Sequence, residues 1–313
     1  MGQWLIAAML SLGLSAEAHK IEIMMTVPRT VSTAFERSMM ARGDHKVFHE
    51  PWNSEYVYRK QLGSTPAAEI ADAGSYSGIR DLLYKYAEQK DVYVKDMIWA
   101  IQEDLLNDEA LLSDPNVVLT LLIRDPALSI DSFFPKIYEN ASVEDAVKIT
   151  EWVFRYDALL DLAKKYREIR GEWPMIVEAE ELCIDPDTVM QNYCKNAGIA
   201  YLPESLRWDQ KEAAEWEHTK SWHTDAAEST GFFASKRLAK VRFSALPEEC
   251  VPQLEAIYQK QKPYYEELRK IKDAVSLGCH KGASYLMSAG LAYGICEKLG
   301  FETKWRFNVF LSE

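Results

Sequence analysis

Short, largely apolar runs alternate with stretches of helical period along most of the chain. Residues 21–27 (IEIMMTV), 46–48, 92–95, 117–123 (VVLTLLI) and 175–177 are predicted strands. Helical spacing falls between them, at 32–42, 79–89, 98–108, 127–134 and 182–197, with one or two further helices in 143–170. Strand–helix alternation of this kind predicts an α/β fold, a central parallel sheet flanked by helices on both faces. Residues 51–78 read as a polar, aromatic connection, and 200–248 as irregular chain with short helices. The stretch 247–271 has the pattern of an amphipathic helix broken near Pro263. Ligands of parallel sheets bind beyond the carboxyl ends of the strands. Glu50, Lys95 and Arg124 all fall at such ends.

Composition narrows the picture. A chain of 313 residues buries roughly three quarters of its unfolded surface and needs neither disulfide nor metal to fold. Forty-eight acidic residues against 36 basic ones, a net charge of −12, argue against nucleic acid or a polyanion as partner. The five cysteines (Cys183, Cys194, Cys250, Cys279, Cys296) include no CxxC pair and read as free thiols. No stretch has the length of a stable membrane span. Residues 4–14 (WLIAAMLSLGL), followed by Ala16-Glu17-Ala18, have the apolar run and cleavage pattern of a secretory leader, without its basic start. A short packed helix fits them equally. The chain therefore divides into a leader-like or helical segment at 1–20, a domain at 21–272 and a C-terminal extension at 273–313 whose role has no motif to mark it.

The candidate chemistry lies in two segments. Pro28-Arg29-Thr30-Val31-Ser32-Thr33 joins the first strand to the first helix. Such a loop offers free N–H groups and the positive end of a helix dipole, and here adds three hydroxyls and a guanidinium, the donors that a phosphate or sulfonate needs. The GxxxxGK[ST] spacing of triphosphate loops is missing, which disfavours ATP and GTP. The second segment begins with Arg124 at the end of the most apolar strand, where a charge is costly without a partner, and continues to Ser132 eight residues on.

Together these motifs resemble the P-loop-like sulfotransferases that use 3′-phosphoadenosine 5′-phosphosulfate (PAPS). The resemblance covers residues 21–270 and is similar in spacing to a sulfotransferase-like subgroup, some members named after aminotransferases, that shares PRTVSTA, EP-aromatic and VKDM. It implies that Arg29, Thr30, Val31, Ser32 and Thr33 hold the donor's 5′-phosphosulfate, and that Arg124 and Ser132 hold its 3′-phosphate. Val31 departs from the family's usual glycine. Phe48-His49-Glu50-Pro51 resembles the acidic motif of tyrosylprotein-type and carbohydrate-type enzymes, and Val94-Lys95-Asp96 their N-K-D segment. The resemblance makes Glu50 the acceptor's base and Lys95 the group at the transferring sulfonyl, with Arg29 on the leaving phosphate. His49, the neighbour of Glu50 on a strand end, is expected to point the other way.

A PAPS-dependent transfer to a hydroxyl of a small molecule or peptide follows as the expected function, with no metal required. The rival is a member of the same fold that binds nucleotide or partner without turnover. Because PAPS is made in the cytosol, a cytoplasmic location is expected, with export the alternative that the leader-like start raises. Oligomeric state has no sequence signal.

Overall fold

The structure, a computed structural model, describes residues 18–62, 66–211, 213, 216, 222–233 and 242–276. The leader-like run at 4–14 and the chain after 276, with Cys279 and Cys296, lie outside the described residues. Five strands, β1 (Ile21–Thr26), β2 (His45–His49), β3 (Asp91–Met97), β4 (Val117–Ile123) and β5 (Met175–Glu178), form one parallel sheet in the order β2-β3-β1-β4-β5. Each expected strand is present. Their near-continuous apolar composition reflects burial on both faces.

Alternation along the strands divides the core in two. Ile21, Ile23, Met25, Val94, Leu119 and Leu121 pack on one face, with helices α4 (Tyr76–Ala87), α5 (Ile98–Asn107), α7 (Pro126–Tyr138) and α9 (Tyr156–Arg170). Met24, Val47, Tyr93 and Leu122 face the other way, against α1 (Ser32–Arg42) and α11 (Pro186–Ala197). The helix after β1 and the helix after β4 thus lie on opposite sheet faces. The chain leaves β1 and β4 in opposite directions at their boundary, the topological switch point where α/β sheets open a crevice.

Several local expectations differ from the structure. The connection at 51–78 is helical: α2 (Pro51–Arg59), α3 (Ala68–Ala73) and the start of α4 occupy it. Proline at the first helical position fits α2, since its missing N–H would have no intrahelical partner there. A short α6 (Glu109–Ser113) and α8 (Val143–Val153) complete the first half, and α10 (Ala179–Ile184) is split from α11 at Asp185-Pro186. There the Asp185 side chain caps the Thr188 N–H. The last helix runs unbroken from Val251 to Ser276 through Pro263. Leu254, Ile257 and Tyr258 before the proline and Tyr265, Leu268 and Ile271 after it are buried on the same core, which offsets the lost backbone bond. Among the described residues no helix is long and apolar enough to cross a membrane, and Cys183, Cys194 and Cys250 are free thiols.

Candidate active site

At the end of β1 the chain turns through Val27-Pro28 into two residues of left-handed backbone, Arg29 (φ 64°) and Val31 (φ 67°), before α1 begins. A β-branched residue in this region is strained, and the conformation explains why glycine suits the position. Val31 is the N-cap of α1, and its carbonyl accepts from Ala34 and Phe35. Neither Thr30 nor Ser32 supplies a side-chain cap. The N–H groups of Ser32 and Thr33, ahead of the first intrahelical bond, lie at the carboxyl end of β1, where the crevice opens. Thr30 is turned inward: its hydroxyl lies 2.6 Å from that of Thr26, which donates to the Leu122 carbonyl at 2.7 Å. This pin ties the loop to β4.

The second segment closes on the first. Arg124 follows β4 directly and donates through Nη1 to the Arg29 carbonyl at 2.8 Å. Its own carbonyl accepts from the Tyr156 hydroxyl at 2.6 Å. Ser132, on α7, accepts from Arg29 Nε at 2.9 Å. Arg29 also donates to the Trp222 carbonyl and to the Asp225 carboxylate, each at 3.0 Å. Residues 29, 124 and 132 therefore meet at the switch point, although two of them lie about a hundred positions from the third.

A second cluster adjoins this crevice on the β2–β3 side. Lys95 is fully buried in β3 and makes a short ion pair with Glu50. Asn53 donates to the other Glu50 oxygen at 2.8 Å, and the Glu50 N–H donates to the Lys95 carbonyl at 2.8 Å. Asp96 is fully buried and accepts the N–H groups of Trp52 and Asn53 at the start of α2. That fixes the turn that aims Glu50. Burial and the Glu50 charge push the Asp96 carboxyl up to about 8.

His49 points into the site, contrary to the expected alternation. Glu50 leaves the strand with left-handed backbone (φ 46°), so the two side chains converge, with His49 Nε2 at 3.8 Å from a Glu50 oxygen. Its Nδ1 lies 2.8 Å from Glu36, a wholly buried carboxylate on α1 that also accepts from Trp216 Nε1 at 2.9 Å and stands 3.6 Å from Lys95. The His223 ring meets His49 edge-on with centroids 4.6 Å apart, and its Nδ1 lies 3.2 Å from the Thr33 hydroxyl.

The electrostatics follow from these contacts. Burial alone would raise the Glu50 carboxyl, but Lys95, then His49 and His223, outweigh it and hold it at about 2. Burial opposes the charge on Lys95, yet Glu50 and Glu36 together raise it above the ordinary range. Burial and the nearby His49 and Lys95 charges push His223 down to about 3, so its imidazole is neutral. His49, Glu50 and His223 each offer a ligand atom within 4.8 Å of the others. A cation there would face the Lys95 ammonium already seated on Glu50, which opposes it.

Glu36, His223, Asp225 and Asn53 carry no sequence signal: a glutamate inside an amphipathic helix reads as solvated, and His223 and Asp225 fall in a stretch that reads as irregular, although Asp225 lies in a short helix, Thr224–Ala227. Arg37 is buried and donates to the carbonyls of Asp209 and Lys211. Trp216 and Phe232 are packed in the interior, whereas Trp222 stacks on Phe133 of α7 with centroids 5.5 Å apart.

A family model described as "Sulfotransferase domain" matches residues 20–261. The chain belongs to this family. The sulfotransferase domain of the Synechococcus PCC 7002 olefin synthase shares the fold with a TM-score of 0.52 and 17% identity, over 77% of this chain and 96% of that one. Two Arabidopsis thaliana relatives are named branched-chain-amino-acid aminotransferase-like protein 1 and protein 2. They are 24% and 23% identical over 68% and 72% of this chain. The chain spans only 36% and 39% of their lengths.

Proposed function

We propose that the protein transfers the sulfonyl group of PAPS to a hydroxyl of a small molecule or peptide, with Glu50 as the base and Lys95 at the leaving oxygen. The observation that carries this is the meeting of Arg29, Arg124 and Ser132 at the β1–β4 crevice, beside the buried Glu50–Lys95 pair. Arg29, the first-turn N–H groups of α1 and the hydroxyls of Ser32 and Thr33 would receive the 5′-phosphosulfate. Arg124 and Ser132 would receive the 3′-phosphate. The inward hydroxyl of Thr30 leaves that residue a structural part, with only its main chain toward the donor.

In the transfer, the acceptor oxygen bonds to sulfur as the bond from sulfur to the phosphate oxygen breaks. The acceptor's proton goes to Glu50, and adenosine 3′,5′-bisphosphate leaves. Catalysis of this kind is mostly positioning and charge stabilisation. Held at about 2 by its ion pair, Glu50 is a poor base in the resting protein. When Lys95 turns to the donor's bridging oxygen, where it contributes about 4 kcal/mol at 4 Å with an effective dielectric of 20, Glu50 loses its closest cation and its basicity rises. Glu36, the second counter-ion, keeps Lys95 charged through that exchange. The donor thus switches on its own base. The cytosol, where PAPS is made, is the compartment in which this scheme works.

Consumption of sulfur-labelled PAPS tests the proposal. Wild-type protein turns the donor over, slowly with water and faster with a suitable hydroxyl. Glu50→Gln does not, while still binding adenosine 3′,5′-bisphosphate. Bisphosphate binding without any consumption by wild type would favour the non-catalytic rival.

A further inference from the structure

The guanidinium of Arg29 is already matched by an acid. Asp225 Oδ2 accepts from Arg29 Nη2 at 3.0 Å, and the Trp222 carbonyl accepts from Nη1 at 3.0 Å. The Asp225 side chain is 82% exposed and Arg29 only 17%. The contact is therefore made by a surface carboxylate reaching in, not by a buried structural pair. Across the crevice Arg124 also faces a carboxylate, its Nε 3.5 Å from a Glu180 oxygen, although the Glu180 oxygens are buried. Both guanidiniums to which phosphates are assigned above thus face a carboxylate of the protein itself. A carboxylate offers an arginine the same planar pair of acceptor oxygens as one edge of a phosphate.

We propose that Asp225 is a placeholder anion: it pairs with Arg29 while the donor is absent and gives way when the donor's phosphate arrives. This rests on the donor assignment made above. Two consequences follow from the geometry. Asp225 sets donor affinity, because a bisphosphorylated nucleotide must displace it and then sits near its negative charge. The displacement also disturbs His223, two residues earlier in the same segment, which lies against Thr33 of the donor loop and His49 beside Glu50. Residues 222–225 therefore link donor occupancy to the side of the site where the acceptor's proton is taken.

Calorimetry with adenosine 3′,5′-bisphosphate on wild type, Asp225→Asn and Asp225→Ala tests this. An exposed ion pair is worth at most a few-fold in affinity, and loss of the charge near a multiply charged ligand adds to it. Both variants are expected to bind about three- to tenfold more tightly than wild type. Their melting temperatures are expected to stay close to wild type, since the side chain is mostly in water. Equal or weaker binding by both variants overturns the placeholder while leaving the donor site standing. Tighter binding by Asn with weaker binding by Ala overturns it too, because a new contact from the amide would then be responsible. If no protein of the three binds the bisphosphate, the donor assignment fails, and the placeholder with it.

Discussion

Arg124 donates to the main-chain carbonyl of Arg29 at 2.8 Å, across a boundary where the chain leaves the sheet in opposite directions. The contact fixes the backbone of the loop at 28–33 from the far side of the crevice. It also gives Arg124 a duty to the loop besides the one proposed above, to the donor's 3′-phosphate. Ser132, bonded to Arg29 Nε at 2.9 Å, shares the second without the first. Loss of either is expected to weaken adenosine 3′,5′-bisphosphate. Arg124→Ala should do so by more, because it also frees the loop.

Lys95→Ala is expected to abolish donor consumption while leaving bisphosphate affinity within a few-fold of wild type. The proposed phosphate contacts through Arg29, Arg124, Ser132 and the N–H groups of α1 remain in the variant, and the lysine meets only the bridging oxygen. A comparable loss of binding and turnover would place Lys95 in the nucleotide seat instead. Single-turnover assays beside equilibrium titration separate the two.

Val31→Gly removes a branched side chain from left-handed backbone, a strain worth about 1–2 kcal/mol. The added freedom of the unfolded chain offsets about 0.5–1 kcal/mol of that gain. Denaturant unfolding is expected to show a net stabilisation between about 0 and 1.5 kcal/mol. Bisphosphate binding should tighten, since the main chain can approach the ligand more closely. Weaker binding would mean that the valine itself shapes the seat.

The Glu50 carboxyl, lowered from 4.5 to about 2, adds stability that is fully present above pH 4.5 and is lost as the pH falls through about 2. The shift corresponds to on the order of 3 kcal/mol. Urea unfolding of wild type and Glu50→Gln should therefore show a stability gap at neutral pH that narrows steadily below pH 4.5. A gap that does not change with pH would mean that the ion pair with Lys95 contributes nothing.

The sheet was legible because strands buried on both faces are apolar almost throughout, and 117–123 is the clearest case. The loop at 28–33 and the Arg124–Ser132 spacing were legible because a strand–helix junction has few ways to present N–H groups and charge. The helices of 51–78 were hidden by short length and by prolines and glycines that mark helix ends as readily as loops. His49 was misplaced because strand alternation fails one residue later, where Glu50 turns left-handed. Glu36 and His223 reach the site only through tertiary packing, α1 laying one beside Lys95 and the segment after Trp222 bringing the other to Thr33. No local pattern announces either.

Isothermal titration of adenosine 3′,5′-bisphosphate into wild type and Arg124→Ala bears most directly on whether both segments hold one nucleotide. Saturable one-to-one binding by wild type, weakened at least tenfold in the variant, is the expected result. Equal affinity in the two proteins, or no binding by wild type, would contradict it.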